Sequence, residues 1–139
     1  MYVRITTIAA RFLIAMLFIL AGVGKLIGPQ PFIAHMAAHG IPGELLPLVA
    51  AFEIAAGLGV LIGWRVAFPA LALGVFCVAT AFVFHLDWSS NAERSIFFKD
   101  LAIAGGLFCL ALANAHTLKS SNEMPALGGR PLASGVEGT

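Results

Sequence analysis

The chain has 139 residues, of which 60% are hydrophobic and only 11% are charged, and its formal net charge is +1. This composition lies outside the range of soluble globular domains, which need a polar shell. The small net charge, and the lack of any basic run with interleaved aromatic residues, exclude a nucleic-acid-binding protein. We therefore expect an integral membrane protein that is surrounded by the lipid bilayer.

The apolar residues fall in four long blocks instead of alternating with charges at helical spacing. Each block reaches the ~20 residues that cross a ~30 Å hydrocarbon layer as a helix. Because the blocks are rich in Ala and Leu and lack period-two alternation, strands of a β-barrel are excluded. The sequence predicts an all-α protein, an antiparallel four-helix membrane bundle over residues 1–118, with spans at about 5–27, 45–63, 66–86 and 97–118.

The two ends of the chain are predicted to lie on the same side of the membrane, because four spans return it there. Residues 119–139 are rich in Gly, Ser and Pro and predict a flexible C-terminal tail. More basic residues flank the terminal side than the other, so the positive-inside rule predicts cytoplasmic N- and C-termini. The terminal side has Arg4, Arg11, Arg65, Lys119 and Arg130, and the other has Lys25, Arg94 and Lys99.

One carboxylate, Glu53, interrupts the apolar stretch AAFEIAAGLGVLIG at residues 50–63. A charge in hydrocarbon costs about 2.5 to 3.5 kcal/mol even on insertion-based scales, so this acid needs a partner or a wet cavity. Counted along the predicted helices, Glu53 and Arg11 are separated by a vertical gap of roughly 8 Å. Arg11 is the preferred partner, because its forked donors suit a buried carboxylate, and Lys25 and Lys99 remain alternatives.

Glu53 and Arg11 are the deepest ionisable groups, and the other ionisable residues of the spans lie near one predicted membrane boundary. We predict that both sets together form a polar pocket. A buried ion pair that only fixes helix register is an alternative role for the deepest groups. For those near the boundary the alternative is a boundary role, because lysines snorkel and an aspartate favours the first turn of a helix. The pocket residues are Arg11, Lys25, Glu53, His85, Lys99 and Asp100.

The loop GPQPFIAHMAAHGIPGELLP at residues 28–47 predicts a short amphipathic helix at the membrane interface. Its His35 and His39 share one face at metal-ligand spacing, and His85 is expected at the same side of the membrane. No HExxH or CxxC motif accompanies them, so we favour interfacial histidines and predict no metal site.

The predicted second span also carries a small residue at every fourth position. This spacing is typical of helices that approach each other closely. It predicts a packing face opposite Glu53, either inside the bundle or across a homodimer. The four residues are Ala51, Ala55, Gly59 and Gly63.

Taken together, several motifs of the chain resemble the DoxX family of small bacterial membrane proteins. They are RFLIAMLFILAGVGKL at 11–26, FEIAAGLGVLIGW at 52–64, FVFH at 82–85 and FFKDLAIAGGLF at 97–108. The resemblance covers about residues 8–114 and departs at Asp100, because the family more often has Lys-Asn where this chain has Lys99-Asp100. It implies a four-helix protein of the bacterial inner membrane, in a family named after a subunit of a thiosulfate:quinone oxidoreductase.

Three functions are compatible with the sequence. The first, which we favour, is a quinone-associated or redox-partner membrane subunit whose polar pocket binds the quinone. The second is a non-catalytic scaffold or assembly factor, and the third is a carrier for a small solute or protons. Neither a haem, flavin or iron–sulfur motif nor a complete catalytic motif is present in the sequence. Whether the protein is an enzyme is therefore left open.

Overall fold

A computed structural model describes residues 2–63 and 65–123. In this part of the chain the regular secondary structure is entirely helical, as predicted. The helices are α1 (Tyr2–Ile27), α2 (Gln30–Ala38), α3 (Leu46–Ile62), α4 (Ala67–Phe84) and α5 (Asn91–Glu123), with a 3-10 turn at Gly43–Leu45. Within the described residues, four segments are long and apolar enough to cross a membrane, namely Tyr2–Ile27, Gly43–Ile62, Ala67–Phe84 and Asn91–Ala115. The prediction of an all-α bundle with four candidate spans is confirmed.

Local sequence signals explain where the last helix begins and where the third one ends. Gly63 ends α3 in the left-handed conformation, with φ of 88°, which a residue with a Cβ adopts only with strain. Ser90 precedes α5, and its hydroxyl accepts the backbone N–H of Glu93 at 3.4 Å. Helix α5 thus starts before the apolar block and continues through Glu123. The rest of the predicted tail, residues 124–139, lies outside the described part.

Helices α1 and α3 form one tightly packed antiparallel pair. A Cβ at Gly22 would lie 2.7 Å from the Ile54 side chain and 2.8 Å from the Ala50 carbonyl oxygen. Further along, Gly57 faces Ile19 at a similarly close distance. Because residue numbers rise on α1 as they fall on α3 along this contact, the two helices run in opposite directions.

Helices α4 and α5 form the second antiparallel pair. Gly74 lies against the ring of Phe108, and the rings of Phe82 and Phe97 meet edge to face with centroids 5.3 Å apart. Both pairs contribute to one hydrophobic core, which includes Phe18, Val60, Leu73 and Leu107. Contact between the two pairs runs mainly through α3 and α4 and is thinner than the contact within each pair.

Large apolar side chains cover the outer surface of the bundle, among them Leu13, Ile62, Phe68 and Leu112. In water such a surface would promote aggregation. In lipid it is the expected exterior, because hydrocarbon tails solvate it as well as another Leu would. The distribution of apolar groups therefore fits a bundle that is surrounded by lipid.

Candidate functional site

Glu53 is paired with Lys25, and the two side chains join α3 to α1 through an ion pair. The ammonium Nζ of Lys25 lies 2.9 Å from Oε1 and 2.7 Å from Oε2 of Glu53. The Glu53 side chain is 5% exposed and that of Lys25 is 15% exposed. Lys25 Nζ also lies 5.2 Å from the centre of the Phe32 ring, close enough for a cation–π contact. Both carboxylate oxygens of Glu53 thus contact the same ammonium group.

Arg11 does not pair with Glu53, so the preferred partner predicted from the sequence is wrong. Its Nε donates to the Val60 carbonyl and its Nη2 to the Leu61 carbonyl, both at 2.9 Å. These carbonyls belong to the last turn of α3, where no further helical N–H follows to satisfy them. A cation is also favoured there by the helix dipole. Glu53 lies seven residues before Val60, or ~10 Å from it along the axis of α3. Glu53 is therefore closer to Lys25 than to the carbonyls that bind the Arg11 guanidinium.

A cavity of about 380 Å³ opens beside the Lys25 and Glu53 pair. All four long helices and α2 contribute to its wall. Five of the six residues of the predicted polar pocket line it, and Arg11 is the one that does not. The five are Lys25, Glu53, His85, Lys99 and Asp100, and aromatic or apolar neighbours include Phe32, Phe76 and Phe84. The volume falls within the ~300 to 1,000 Å³ that is usual for small-molecule sites.

His85, which follows the last residue of α4, also lines the cavity and lies between two acids. His85 Nδ1 lies 2.6 Å from Oε2 of Glu93, and its Nε2 lies 4.0 Å from Oδ2 of Asp100. The first distance is that of a strong charge-assisted hydrogen bond, whereas the second exceeds direct bonding distance. Glu93 is absent from the pocket residues predicted from the sequence, because it precedes the apolar block. The Ser90-x-x-Glu93 pattern was the signal that α5 already includes it.

Three histidines lie close together at the end of the bundle where α2 is located, which we call the α2 end. The ring of His35 stacks on those of Phe84 and His85, with centroids 5.2 and 6.0 Å apart. His39 lies 4.8 Å from His35, and its Nδ1 is 2.9 Å from the His35 carbonyl oxygen. Within the described residues, no group of three or more His, Cys, Asp or Glu side chains is arranged to hold a metal ion.

The predicted packing face of the second span is only partly covered in a single chain. Ala51 and Ala55 are exposed, whereas Gly59 approaches the Pro69 ring. Gly63 lies at the helix end beside Arg11. The close contact between α1 and α3 uses a different face of α3, which presents Ala50 and Gly57.

Cys77 and Cys109 are both free thiols. Cys77 is buried and lines the cavity, whereas Cys109 is exposed on α5. The two residues therefore differ in surroundings, although both lie within spans.

Chemically, the cavity offers hydrogen-bonding groups from both helix pairs and several aromatic rings. Lys25 of α1 provides N–H donors, and His85 at the end of α4 provides a ring nitrogen that donates or accepts according to its tautomer. Glu53 and Asp100 add acceptors. This arrangement suits a planar ligand with polar atoms at its edges.

The fold and this site define a multi-pass membrane helix bundle with a buried ion pair beside a polar cavity. A family model described as DoxX matches residues 6–86. The chain is also 39% identical, over 105 residues, to "Inner membrane protein YqjF" of Escherichia coli (strain K12), a match that covers 76% of this chain and 81% of that protein. The chain belongs to the DoxX family. No solved structure matches it. The relative and the four apolar helices support a multi-pass location in the inner membrane.

Proposed function

We propose that this protein is a quinone-binding membrane subunit that works with a redox partner, and that the cavity holds the quinone head group. The observation that carries the proposal is that one cavity is lined by Lys25 and Glu53 from the α1–α3 pair and by His85 and Asp100 from the α4–α5 pair. A quinone presents two carbonyl oxygens at opposite edges of a flat ring. Lys25 and His85 would donate to these oxygens, and Phe32, Phe76 and Phe84 would contact the ring.

The membrane location supports the same ligand. Quinones with isoprenoid tails dissolve in hydrocarbon, and the cavity lies among helices that are apolar enough to span it. When bound, a quinone would supply two-electron redox chemistry. The side chains of this chain would bind and orient the head group and exchange protons with it. The redox partner would supply or accept the electrons.

Quinone retention after purification tests the proposal. The protein would be purified in mild detergent, extracted with organic solvent, and its quinone measured by chromatography per mole of protein. Glu53→Gln removes the charge that orients Lys25, and a lost charge-assisted hydrogen bond of ~1.5 to 3 kcal/mol corresponds to a roughly tenfold to hundredfold weaker binding. Glu44→Gln is the matched control, because Glu44 is exposed and lies outside the cavity lining.

We expect near-stoichiometric quinone in the wild type and in Glu44→Gln, and a large loss in Glu53→Gln at an unchanged helical circular-dichroism spectrum. Wild-type protein that carries no quinone, and takes up none when it is supplied in nanodiscs, would refute the proposal. A Glu53→Gln variant that retains quinone normally would remove Glu53 from the site.

A scaffold or assembly role is the second candidate, and one surface feature favours it. A groove of about 540 Å³ lies between α3 and α4, lined by residues that include Ala55, Gly59, Ile62 and Phe68. It continues the exposed small-residue face at Ala51. Gly59→Leu would fill this groove without touching the cavity. If that change abolished a specific crosslinked complex while quinone retention stayed normal, the scaffold role would be supported.

A further inference from the structure

The position of Glu93 relative to the cavity separates it from the other acids of this region. Glu93 does not line the cavity, whereas its hydrogen-bond partner His85 does, and so does Asp100. The Glu93 side chain is 28% exposed, and those of His85 and Asp100 are 16% and 19% exposed. The His85 imidazole therefore forms part of the cavity wall. The carboxylate of Asp100 also belongs to the cavity lining, whereas that of Glu93 does not.

We propose that Glu93, His85 and Asp100 form a proton relay that connects water at the α2 end with the cavity. This inference rests on the proposed quinone function for its purpose, because reduction of a quinone to a quinol consumes two protons along with two electrons. The relay itself moves only protons, and its existence is testable without any quinone.

The chemistry of one transfer is balanced. The Glu93 carboxyl takes up a proton from water and donates it to Nδ1 of His85, which becomes an imidazolium. The imidazolium then releases the proton on Nε2 to the Asp100 carboxylate, and Glu93 is left ionised. One proton has moved from water to Asp100, and the neutral ring is left with its proton on Nδ1. Loss of this proton to water and uptake of one from water on Nε2 restore the starting tautomer.

The two steps of the relay differ in distance. The Glu93 step uses an existing contact of 2.6 Å, whereas the Asp100 step spans 4.0 Å. A direct hydrogen bond needs ~3 Å, so the second step requires rotation of the Asp100 side chain or a bridging water. Because the Asp100 step is not a direct hydrogen bond, a change of the ligand or water in the cavity can interrupt or restore proton transfer.

Other titratable and charged groups surround His85. The His35 ring of α2 stacks on it. Groups that share the cavity act on it from the remaining helices: Lys25 on α1, Glu53 on α3 and Lys99 on α5. Among the described residues, Glu93 and Asp100 are the two acids with an oxygen within 4.0 Å of its ring nitrogens.

Time-resolved infrared spectroscopy after a rapid pH drop tests the relay on the purified protein in nanodiscs without added quinone. The readout is the carboxyl band of Asp100, identified by its loss in Asp100→Asn. We expect Glu93→Gln and His85→Phe each to slow the appearance of this band at least tenfold. Added formate should restore the rate in Glu93→Gln, and imidazole should restore it in His85→Phe, because each replaces the missing proton carrier. Glu44→Gln should leave the rate unchanged.

An Asp100 band that appears equally fast in wild type and Glu93→Gln would overturn the relay, because protons would then reach the cavity by another route. An Asp100 that stays ionised over the whole pH range of the folded protein would overturn it as well. Either result would leave quinone retention, and with it the proposed function, untouched. Conversely, a wild-type protein without quinone but with a Glu93-dependent band would keep the relay and remove the quinone.

Discussion

At the scale of single residues, the choice of Lys25 over Arg11 as the partner of Glu53 follows from side-chain direction. Side chains on an α-helix lean toward its N-terminus. Lys25 is near the C-terminal end of α1, so its stem leans back into the bundle toward Glu53, and the ammonium arrives within 2.9 Å of both oxygens. Arg11 leans in the same direction, but from its position this takes it away from Glu53 and toward the carbonyls at the end of α3.

Removing Lys25 should therefore destabilise the protein strongly. Lys25→Met leaves a carboxylate that is 5% exposed without its cation, and breaking a buried pair from one side costs ~3 to 5 kcal/mol. We expect the lower end of that range, because the pair borders the cavity and the Lys25 side chain is 15% exposed. Reversible unfolding in mixed detergent micelles would measure the loss of stability. The double variant Lys25→Met/Glu53→Met should recover most of it, and a double variant as unstable as the sum of the single ones would show that the pair is not coupled.

Arg11 should contribute to stability through the end of α3 and leave the cavity unaffected. Arg11→Met removes charge-assisted hydrogen bonds to the Val60 and Leu61 carbonyls, with an expected loss of ~1.5 to 3 kcal/mol. Arg4→Met is the matched control, because Arg4 is exposed, and it should change the unfolding free energy by less than ~0.5 kcal/mol. An Arg11→Met variant that loses quinone but keeps its stability would contradict this assignment.

The need for a cation beside Glu53 could be predicted from the sequence, but its identity could not. Counting residues along ideal helices placed Arg11 within roughly 8 Å of Glu53. That count ignored the free carbonyls near the end of α3, which compete for the same guanidinium. The gathering of Lys25, His85, Lys99 and Asp100 near one boundary could be predicted, because up-and-down order alone brings their helix ends together.

At the scale of helices, the contact between α1 and α3 depends on glycines whose hydrogens face the neighbouring backbone. The small residues at 51, 55, 59 and 63 recur along α3 as the sequence shows. The contact with α1, however, uses Ala50 and Gly57 instead. Ala and Gly occur on more than one face of α3, and periodicity alone does not tell which face meets a partner. Likewise, hydropathy placed the start of the last helix at residue 97, whereas polar capping at Ser90 starts it at Asn91.

Adding one methyl group at Gly22 should therefore weaken this helix pair. The new Cβ of Gly22→Ala would lie 2.8 Å from the Ala50 carbonyl oxygen, and backbone does not give way cheaply. Overpacking of this kind costs ~1 to 3 kcal/mol. Gly24→Ala is a matched control on the same helix, because the space around it is open. Thermal unfolding should show a clear loss for the first change, and equal stabilities would contradict the observed packing.

At the scale of the whole molecule, the bundle consists of two tight helix pairs with a cavity where they separate. The cavity lies toward the α2 end, because α2 and His85, the first residue after α4, contribute to its wall. Packing is close within each helix pair, so the interface between the two pairs is the less densely packed part of the structure. A ligand that bridges Lys25 and His85 would tie the two pairs together, so binding and stability should rise in parallel.

Orientation in the membrane decides which compartment would supply protons to the proposed relay. The excess of Lys and Arg at the terminal side predicts that the N-terminus and the turn predicted at 63–65 face the cytoplasm and that the α2 end faces outward. Ser89 lies exposed between α4 and α5, so Ser89→Cys, in a background without Cys77 and Cys109, should react with a membrane-impermeant maleimide in intact spheroplasts. Ser134→Cys, near the C-terminus, should react only after the membrane is permeabilised. The reverse labelling pattern would invert the topology, and the relay through Glu93 would then draw its protons from the cytoplasm.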